Sequence, residues 1–226
     1  MKKKKESSVE VATLSKEERA KIFATMKTTL KKQLGDGIIA DQQSLHVESI
    51  STGSPLLDSV ITGDGYAKGR FIELSGENSC GKSTTATIML AEAQKAYPDE
   101  MVGYIDVEHA INIKYAEKLG LDLSPDRFIL VQPSSAEDAF TALDAFVSSG
   151  LFSVVCFDSV GALVTEDQLA KGFDENTIGS LGRLMGKSIS RINIAAASSN
   201  TAVIWINQIR TKITLFGSGE TVAGEL

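Results

Sequence analysis

Three features of this chain predict an α/β fold with a mostly parallel central sheet and helices on both faces. From Phe71 onward, short β-favouring segments alternate with helical ones, the pattern that calls for parallel strands joined by helical crossovers. A glycine-bounded loop, GENSCGKS at 76–83, sits between one such strand and one such helix. The bulk numbers allow it: 226 residues, 42% hydrophobic and 23% charged, suffice for one large core and argue against disorder as the overall state.

Taken in order, the chain starts with MKKKKESS. No apolar stretch follows these lysines, so residues 1–14 read as a flexible, solvated basic tail and not as a signal peptide. The alternative is a basic run that steers the chain toward nucleic acid. Ser15 then opens a helix, SKEERAKIFATMKTTLKKQL, with Ser15 and Glu18 spaced as a capping box. Ile22, Phe23, Met26, Leu30 and Leu34 recur near helical spacing and give it one apolar face, and Gly35 ends it. That face must pack on the chain's own core or on a neighbouring subunit. Residues 36–69 are punctuated by glycines. Within them Pro55 suits the first turn of a short helix with Ser54 as its cap.

The alternation then reads as strand 70–75, helix 84–96, strand 101–106, helix 112–119, strand 127–131, helix 136–149, strand 153–158, helix 177–198 and strand 201–207. Ligands bind at the carboxyl ends of such strands. Polar residues gather there: Asp106 and Glu108, Asp158 and Ser159, Asn207 and Gln208.

GENSCGKS fits G-x-x-x-x-G-K-[ST], the phosphate-binding loop. Gly76 and Gly81 allow backbone angles that turn successive N–H groups onto a phosphate chain. The helix N-terminus adds partial positive charge. Lys82 would reach the β- and γ-phosphates, and the Ser83 hydroxyl would ligate Mg²⁺. VVCFD ends in Asp158, which reads as the carboxylate that holds the Mg²⁺ shell through Ser83 or water. Glu108 has two readings, a base that polarises an attacking water or a carboxylate at a helix N-terminus. His109 reads as a packed or hydrogen-bonded histidine, and no Cys/His cluster suggests zinc. Asn207-Gln208 has two readings, an amide that would sense a γ-phosphate and pass its state to the following loop, or an ordinary strand-end amide. Residues 168–176 and 210–224 read as mobile loops on the same edge. The second combines Arg210, Lys212 and Phe216 with several glycines, which suits single-stranded DNA; the alternative is a surface loop with routine composition.

The composition sets bounds. A net charge of −6 excludes a wholly basic nucleic-acid binder, so a DNA contact would need a local patch or a surface shared in an oligomer. The two cysteines, Cys80 in the loop and Cys156 in an apolar strand, argue against a disulfide framework and for the cytoplasm. No apolar run approaches the ~20 residues that span a bilayer.

In this order, GENSCGKST, YIDVEHA, VVCFDSVGAL and WINQIRTKI resemble the RecA recombinase family, as do KQLGDGII and STGSPLLD. The resemblance runs from about residue 16 to the end. It implies a RecA-like ATPase core at 46–226, preceded by an oligomerisation helix and linker at 15–45 that docks on the next protomer. It implies ATP-dependent strand exchange between single-stranded and double-stranded DNA, on a filament of identical subunits, in recombination and repair. Gly76, Glu77, Asn78, Ser79, Cys80, Gly81, Lys82, Ser83 and Thr84 match the phosphate loop. Glu108 matches the catalytic glutamate, Tyr115 the aromatic that stacks on adenine, Asp158 the metal-shell aspartate and Gln208 the γ-phosphate sensor. Residues 168–176 and 210–224, including Gly217 and Gly224, match two DNA-binding loops, with Arg183 a basic residue beside them.

Departures qualify the match. Asn112 stands where the family has an aspartate near the adenine, and Cys80 replaces a small serine. The family's core continues past the position of Leu226 with strands that carry lysines for the neighbour's γ-phosphate. FGSGETVAGEL reads as a mobile tail without a final strand, so a fragment with incomplete activity is expected. The competing function is a non-catalytic nucleotide-binding relative that caps or regulates a full-length filament. A helicase or transporter motor fits the segments around Glu108 and 207–210 less well.

Overall fold

A computed structural model describes residues 14–35, 39, 47–61, 63–170, 179–214 and 217–222, with the backbone alone for 210–214 and 217–222. They belong to two compact units divided between His46 and Val47, each taken by itself. The predicted basic tail lies almost wholly outside the described residues.

The first unit contributes helix α1, Lys16–Leu34. Its start is the predicted capping box. Ser15 Oγ accepts from the Glu18 N–H at 3.2 Å, and Glu18 Oε2 accepts from the Ser15 N–H at 2.9 Å. Gly35 closes the helix, its N–H donating to the Lys31 carbonyl at 2.9 Å. Ile22, Phe23, Met26 and Leu34 are all exposed, and no residue of α1 is buried.

The second unit opens with a small antiparallel ladder, β1 (Ser49–Ile50) on β2 (Tyr66–Ala67). Helix α2, Pro55–Ile61, lies between them, with Ser54 Oγ accepting from the Leu57 N–H. Gly65 is required here: at φ +113 a Cβ would stand 2.0 Å from the Ile50 carbonyl oxygen.

The main sheet holds β3 (Phe71–Gly76), β4 (Met101–Asp106), β5 (Phe128–Val131), β6 (Phe152–Asp158) and β7 (Ala202–Thr214), in the spatial order β3-β7-β6-β4-β5, all parallel. Between them run α3 (Lys82–Ala96), α4 (Ile113–Lys118), α5 (Ala136–Ser149), α6 (Glu166–Ala170) and α7 (Ser180–Ser199). The α/β expectation is met. β6 lies between two neighbours and is buried along its whole length, which explains its unbroken apolar run. One face packs Tyr104, Cys156 and Ile204 against Met89 and Leu90 of α3. The other packs Phe157, Val203 and Trp205 against Phe140 and Leu143 of α5 and Ile192 of α7. Burying each such side chain contributes roughly 1.5–3 kcal/mol. Trp205 sits among three rings, 4.8 Å from Phe157, 5.4 Å from Phe71 and 6.3 Å from Phe140 between centroids.

Two expectations are corrected. The strand expected to end at Asn207 runs to Thr214, and β8 (Gly217–Val222) pairs back on it antiparallel, from Ile209↔Val222 to Thr214↔Gly217. Most of the predicted loop 210–224 is thus a hairpin, and the segment expected to lack a final strand contains one. The cause is alternation: Ile209, Thr211 and Ile213 interleave with Arg210, Lys212 and Thr214, and a β-branched strand tolerates a glycine-rich partner. Residues 171–178 and 223–226 lie outside the described residues, including most of the first predicted loop and Gly224.

Candidate functional site

The strands finish along one edge, and the predicted phosphate loop lies at that edge. β3 ends at Gly76, and α3 starts after Gly81, which at φ +97 takes a conformation that disfavours a side chain. A Cβ on Gly76 would stand 2.7 Å from Cys80 Sγ, a contact that rotation of the exposed Cys80 side chain would relieve. Asn78, Ser79, Gly81, Lys82, Ser83 and Thr84 line a cavity of about 470 Å³, while Gly76, Glu77 and Cys80 complete the loop without lining it. The Lys82 ammonium donates to the Gly76 carbonyl at 3.0 Å and the Glu77 carbonyl at 2.7 Å. Cys80 is exposed, its Sγ 4.0 Å from Lys82 Nζ.

Three carboxylates face the same edge. Asp158, at the end of β6, accepts from Ser83 Oγ at 2.7 Å and from the Tyr104 hydroxyl at 2.6 Å, both on Oδ2. Burial pushes the Asp158 carboxyl above its usual range, against the opposing pull of those two hydrogen bonds. Burial also pushes the Tyr104 phenol far up, so it remains a donor. Glu108 accepts from Gln208 Nε2 at 2.8 Å and from Ser159 Oγ, both on Oε1. Asp106 is buried and closes the turn that carries Glu108. It accepts from the Ala110 N–H at 3.1 Å, the Ile111 N–H at 3.2 Å and Gln132 Nε2 at 3.0 Å. The Val107 N–H donates to the Asp158 carbonyl at 2.7 Å, tying this turn to β6. His109 Nε2 lies 3.3 Å from the Pro133 carbonyl, the hydrogen-bonded role its sequence position suggests.

Beside the loop a smaller cavity of about 170 Å³ shares Ser83, Thr84, Glu108 and Asp158 with the first. Asn112 and Tyr115 line it. Asn112 caps α4, its Oδ1 accepting from the Tyr115 N–H at 3.0 Å, and Tyr115 is 47% exposed. Asn207 turns away to Glu73, donating from Nδ2 to Oε1 at 3.1 Å, which leaves Gln208 as the amide at the cavity.

The structure therefore brings together the loop, Glu108, Asp158, Gln208, Asn112 and Tyr115. Arg183 lines neither cavity. It is exposed on the first turn of α7, with its Nε donating to the Gly179 carbonyl at 3.2 Å. Gly217 begins β8, whereas the side chains of Arg210, Lys212 and Phe216 lie outside the described residues. Sequence reasoning missed Tyr104 and Gln132. Tyr104 had a signal, two positions before Asp106 on the same face of β4. Gln132 had none beyond following a strand.

Among the described residues, no cluster of three or more His, Cys, Asp or Glu could hold a metal by itself. Ser83 Oγ and Asp158 are nevertheless hard oxygen donors in contact with each other, a set that suits Mg²⁺, which keeps several of its waters and takes substrate phosphates as ligands. No described helix is long and apolar enough to cross a membrane.

The family profile of the RecA N-terminal domain matches residues 21–226. The chain is similar to Protein RecA of Ruminococcus albus, at 37% identity over 99% of this chain and 56% of that protein. It is similar to Protein RecA of Chloroherpeton thalassium, at 37% identity over 99% of this chain and 63% of the relative. With Protein RecA of Rhodopirellula baltica it shares 41% identity over 88% of this chain and 54% of the relative. The chain thus spans a little over half the length of the curated relatives it matches.

Proposed function

The chain belongs to the RecA family, and from that premise we propose that it is a DNA-dependent ATPase. On this reading it assembles on single-stranded DNA and promotes pairing and strand exchange with duplex DNA in recombination and repair. The observation that carries the proposal is Glu108 at the rim of the loop cavity. Its Oε1 is held by Gln208 and Ser159, opposite the Ser83–Asp158 pair. A carboxylate fixed at one oxygen presents the other to water, the placement a general base needs.

The residues divide the work. The backbone N–H groups of 76–84 and the start of α3 cradle the ATP phosphates. Lys82 leaves the Gly76 and Glu77 carbonyls to meet charge that develops on the γ-phosphate. Ser83 and Asp158 would hold Mg²⁺, which supplies neutralisation of the phosphate oxygens. Glu108 orients and deprotonates the attacking water. Tyr115 and Asn112 flank the adenine. Gln208 donates from Nε2 to Glu108 Oε1 and lies in β7, so a change at the γ-phosphate passes along one strand into the β7–β8 hairpin. We assign DNA contacts to Arg183, Arg210, Lys212, Phe216, Gly217 and Gly224 and to residues 168–176. The exposed apolar face of α1 is the docking surface for the next protomer, and the domain limits are those of the sequence reading, 15–45 and 46–226. The compartment is the cytoplasm.

The test measures ATP hydrolysis by the full chain, with and without single-stranded DNA, at a fixed salt concentration. DNA-stimulated turnover supports the proposal. Nucleotide binding without turnover, together with poisoning of a longer RecA, would support the regulatory alternative. Absence of nucleotide binding would overturn both.

A further inference from the structure

Tyr104 has no part in the division of work above, yet its hydroxyl reaches the centre of the site. The ring lies in the core packed against α3 and is 1% exposed. β4 and β6 are parallel neighbours with Tyr104 opposite Cys156, so the side chain leans forward along the strand to the carboxylate at the end of β6. Its OH donates to Asp158 Oδ2 at 2.6 Å. Ser83 Oγ donates to that same oxygen at 2.7 Å from the loop side. Both residues line the smaller cavity, but the Tyr104 ring is anchored in the core whereas Ser83 also lines the larger cavity.

We propose that Tyr104 is a positioning residue that pins the Asp158 carboxylate toward Ser83, and thereby sets the magnesium-dependent part of nucleotide affinity. The proposal rests on the nucleotide reading above. An aspartate carboxylate turns broadly about its last torsion. Ser83 lies in the first turn of α3 and lines both cavities, so its hydroxyl is open to an entering ligand. Left to Ser83 alone, the carboxylate would turn whenever that hydroxyl changed partner. The phenol does not follow such a change, because its ring is held in a close-packed interior. It therefore keeps Oδ2 aimed at the Ser83 hydroxyl, and Asp158 acts through Ser83 and water. A hydrogen bond to a charged acceptor is stronger than a neutral one, enough to hold this orientation.

Tyr104→Phe keeps the ring and removes the hydroxyl, so it tests the pin without opening a cavity. The affinity of a non-hydrolysable ATP analogue is measured calorimetrically on the full chain, in Mg²⁺ and in EDTA, for wild type, Tyr104→Phe, Asp158→Asn and the double variant. Wild type should bind more tightly in Mg²⁺ than in EDTA. Tyr104→Phe should lose about tenfold of affinity in Mg²⁺ and stay within about twofold of wild type in EDTA. In the Asp158→Asn background, adding Tyr104→Phe should change the Mg²⁺ affinity by less than about twofold, because the pin has lost its target. A merely structural hydroxyl would weaken binding equally with and without Mg²⁺, or weaken it as much in the Asp158→Asn background; either result overturns the proposal. If Tyr104→Phe retains the whole Mg²⁺ increment, the positioning role falls while the nucleotide reading stands. If wild type shows no Mg²⁺-dependent binding, both fall.

Discussion

The two ends of the parallel sheet treat charge in opposite ways. Where the strands begin, polar groups close on one another. Lys68, 4% exposed, donates to both oxygens of Glu100 at 2.9 and 2.8 Å and sits 3.6 Å from the centre of the Tyr97 ring. Burial, with the neighbouring Glu48 carboxylate, pushes the Tyr97 phenol up to about 12. The Arg127 guanidinium donates to the Gln94 carbonyl at 2.6 Å and the Glu100 carbonyl at 3.2 Å. Gln94 in turn pairs with the Asp122 backbone in both directions. Where the strands finish, Asp106, Glu108 and Asp158 converge beside a cavity, and Lys82 bonds to carbonyls of its own loop instead of to any of them. The first end holds the strands in place. The second end keeps like charges close together, an arrangement that a bound cation would relieve.

Four substitutions sharpen or break this contrast. The largest effect is expected at Lys82. Lys82→Ala should lower ATP turnover by roughly a thousandfold or more, since it removes the cation aimed at developing charge. Thermal unfolding should hardly move, and wild-type turnover in this variant would refute the loop assignment. Glu108→Gln should slow turnover by about a hundredfold with nucleotide affinity near wild type, as the amide keeps the shape and loses the proton acceptor. Equal rates, measured in single turnover, would return Glu108 to a helix-end role. At the opposite end Lys68→Ala should cost about 2 kcal/mol of stability, read by urea unfolding. Glu100 is partly exposed, so solvent screens the ion pair, and much of the loss is packing against Tyr97. Its effect on nucleotide affinity should be negligible; a shift there would show that the two ends are coupled.

The smallest effect concerns Asp158 and has the opposite sign. Burial raises its folded carboxyl above the unfolded value. The charged form is therefore the less welcome one in the fold, and stability present below the unfolded value is lost as pH rises through the folded one. At neutral pH Asp158→Asn should raise the melting temperature of the nucleotide-free chain by a few degrees, about 1 kcal/mol. The gain should vanish in acid, where wild type is itself neutral at this position. A melting temperature that falls at neutral pH would mean that the hydrogen bonds from Ser83 and Tyr104 outweigh burial.

Most of the frame was legible because its signals are local. Strand–loop–helix at 70–96 follows from composition and two glycines, and the α1 capping box from the spacing of Ser15 and Glu18. The site was legible as strand ends: any parallel sheet brings Asp106, Asp158 and Gln208 to one edge. What could not be read was which ends are neighbours. Strand order β3-β7-β6-β4-β5 sets β4 beside β6, and only that adjacency puts Tyr104 on Asp158 across 54 positions and Ser159 on Glu108 across 51. The hairpin was missed for another reason. Gly217 and Gly219 argue for a loop one residue at a time, whereas the partner strand's alternation supplies the pairing.

Trp205 makes the β7 strand optically addressable. It is the single tryptophan of the chain, it lies three positions before Gln208, and its Nε1 is buried without a hydrogen-bond partner among the described residues. An indole in so dry a ring cluster emits at short wavelength, and its quantum yield responds to small changes in ring contact. The tryptophan emission of the unlabelled protein therefore comes from β7, three residues from Gln208, and a stopped-flow trace would report a change in that ring cluster on adding nucleotide without any added dye.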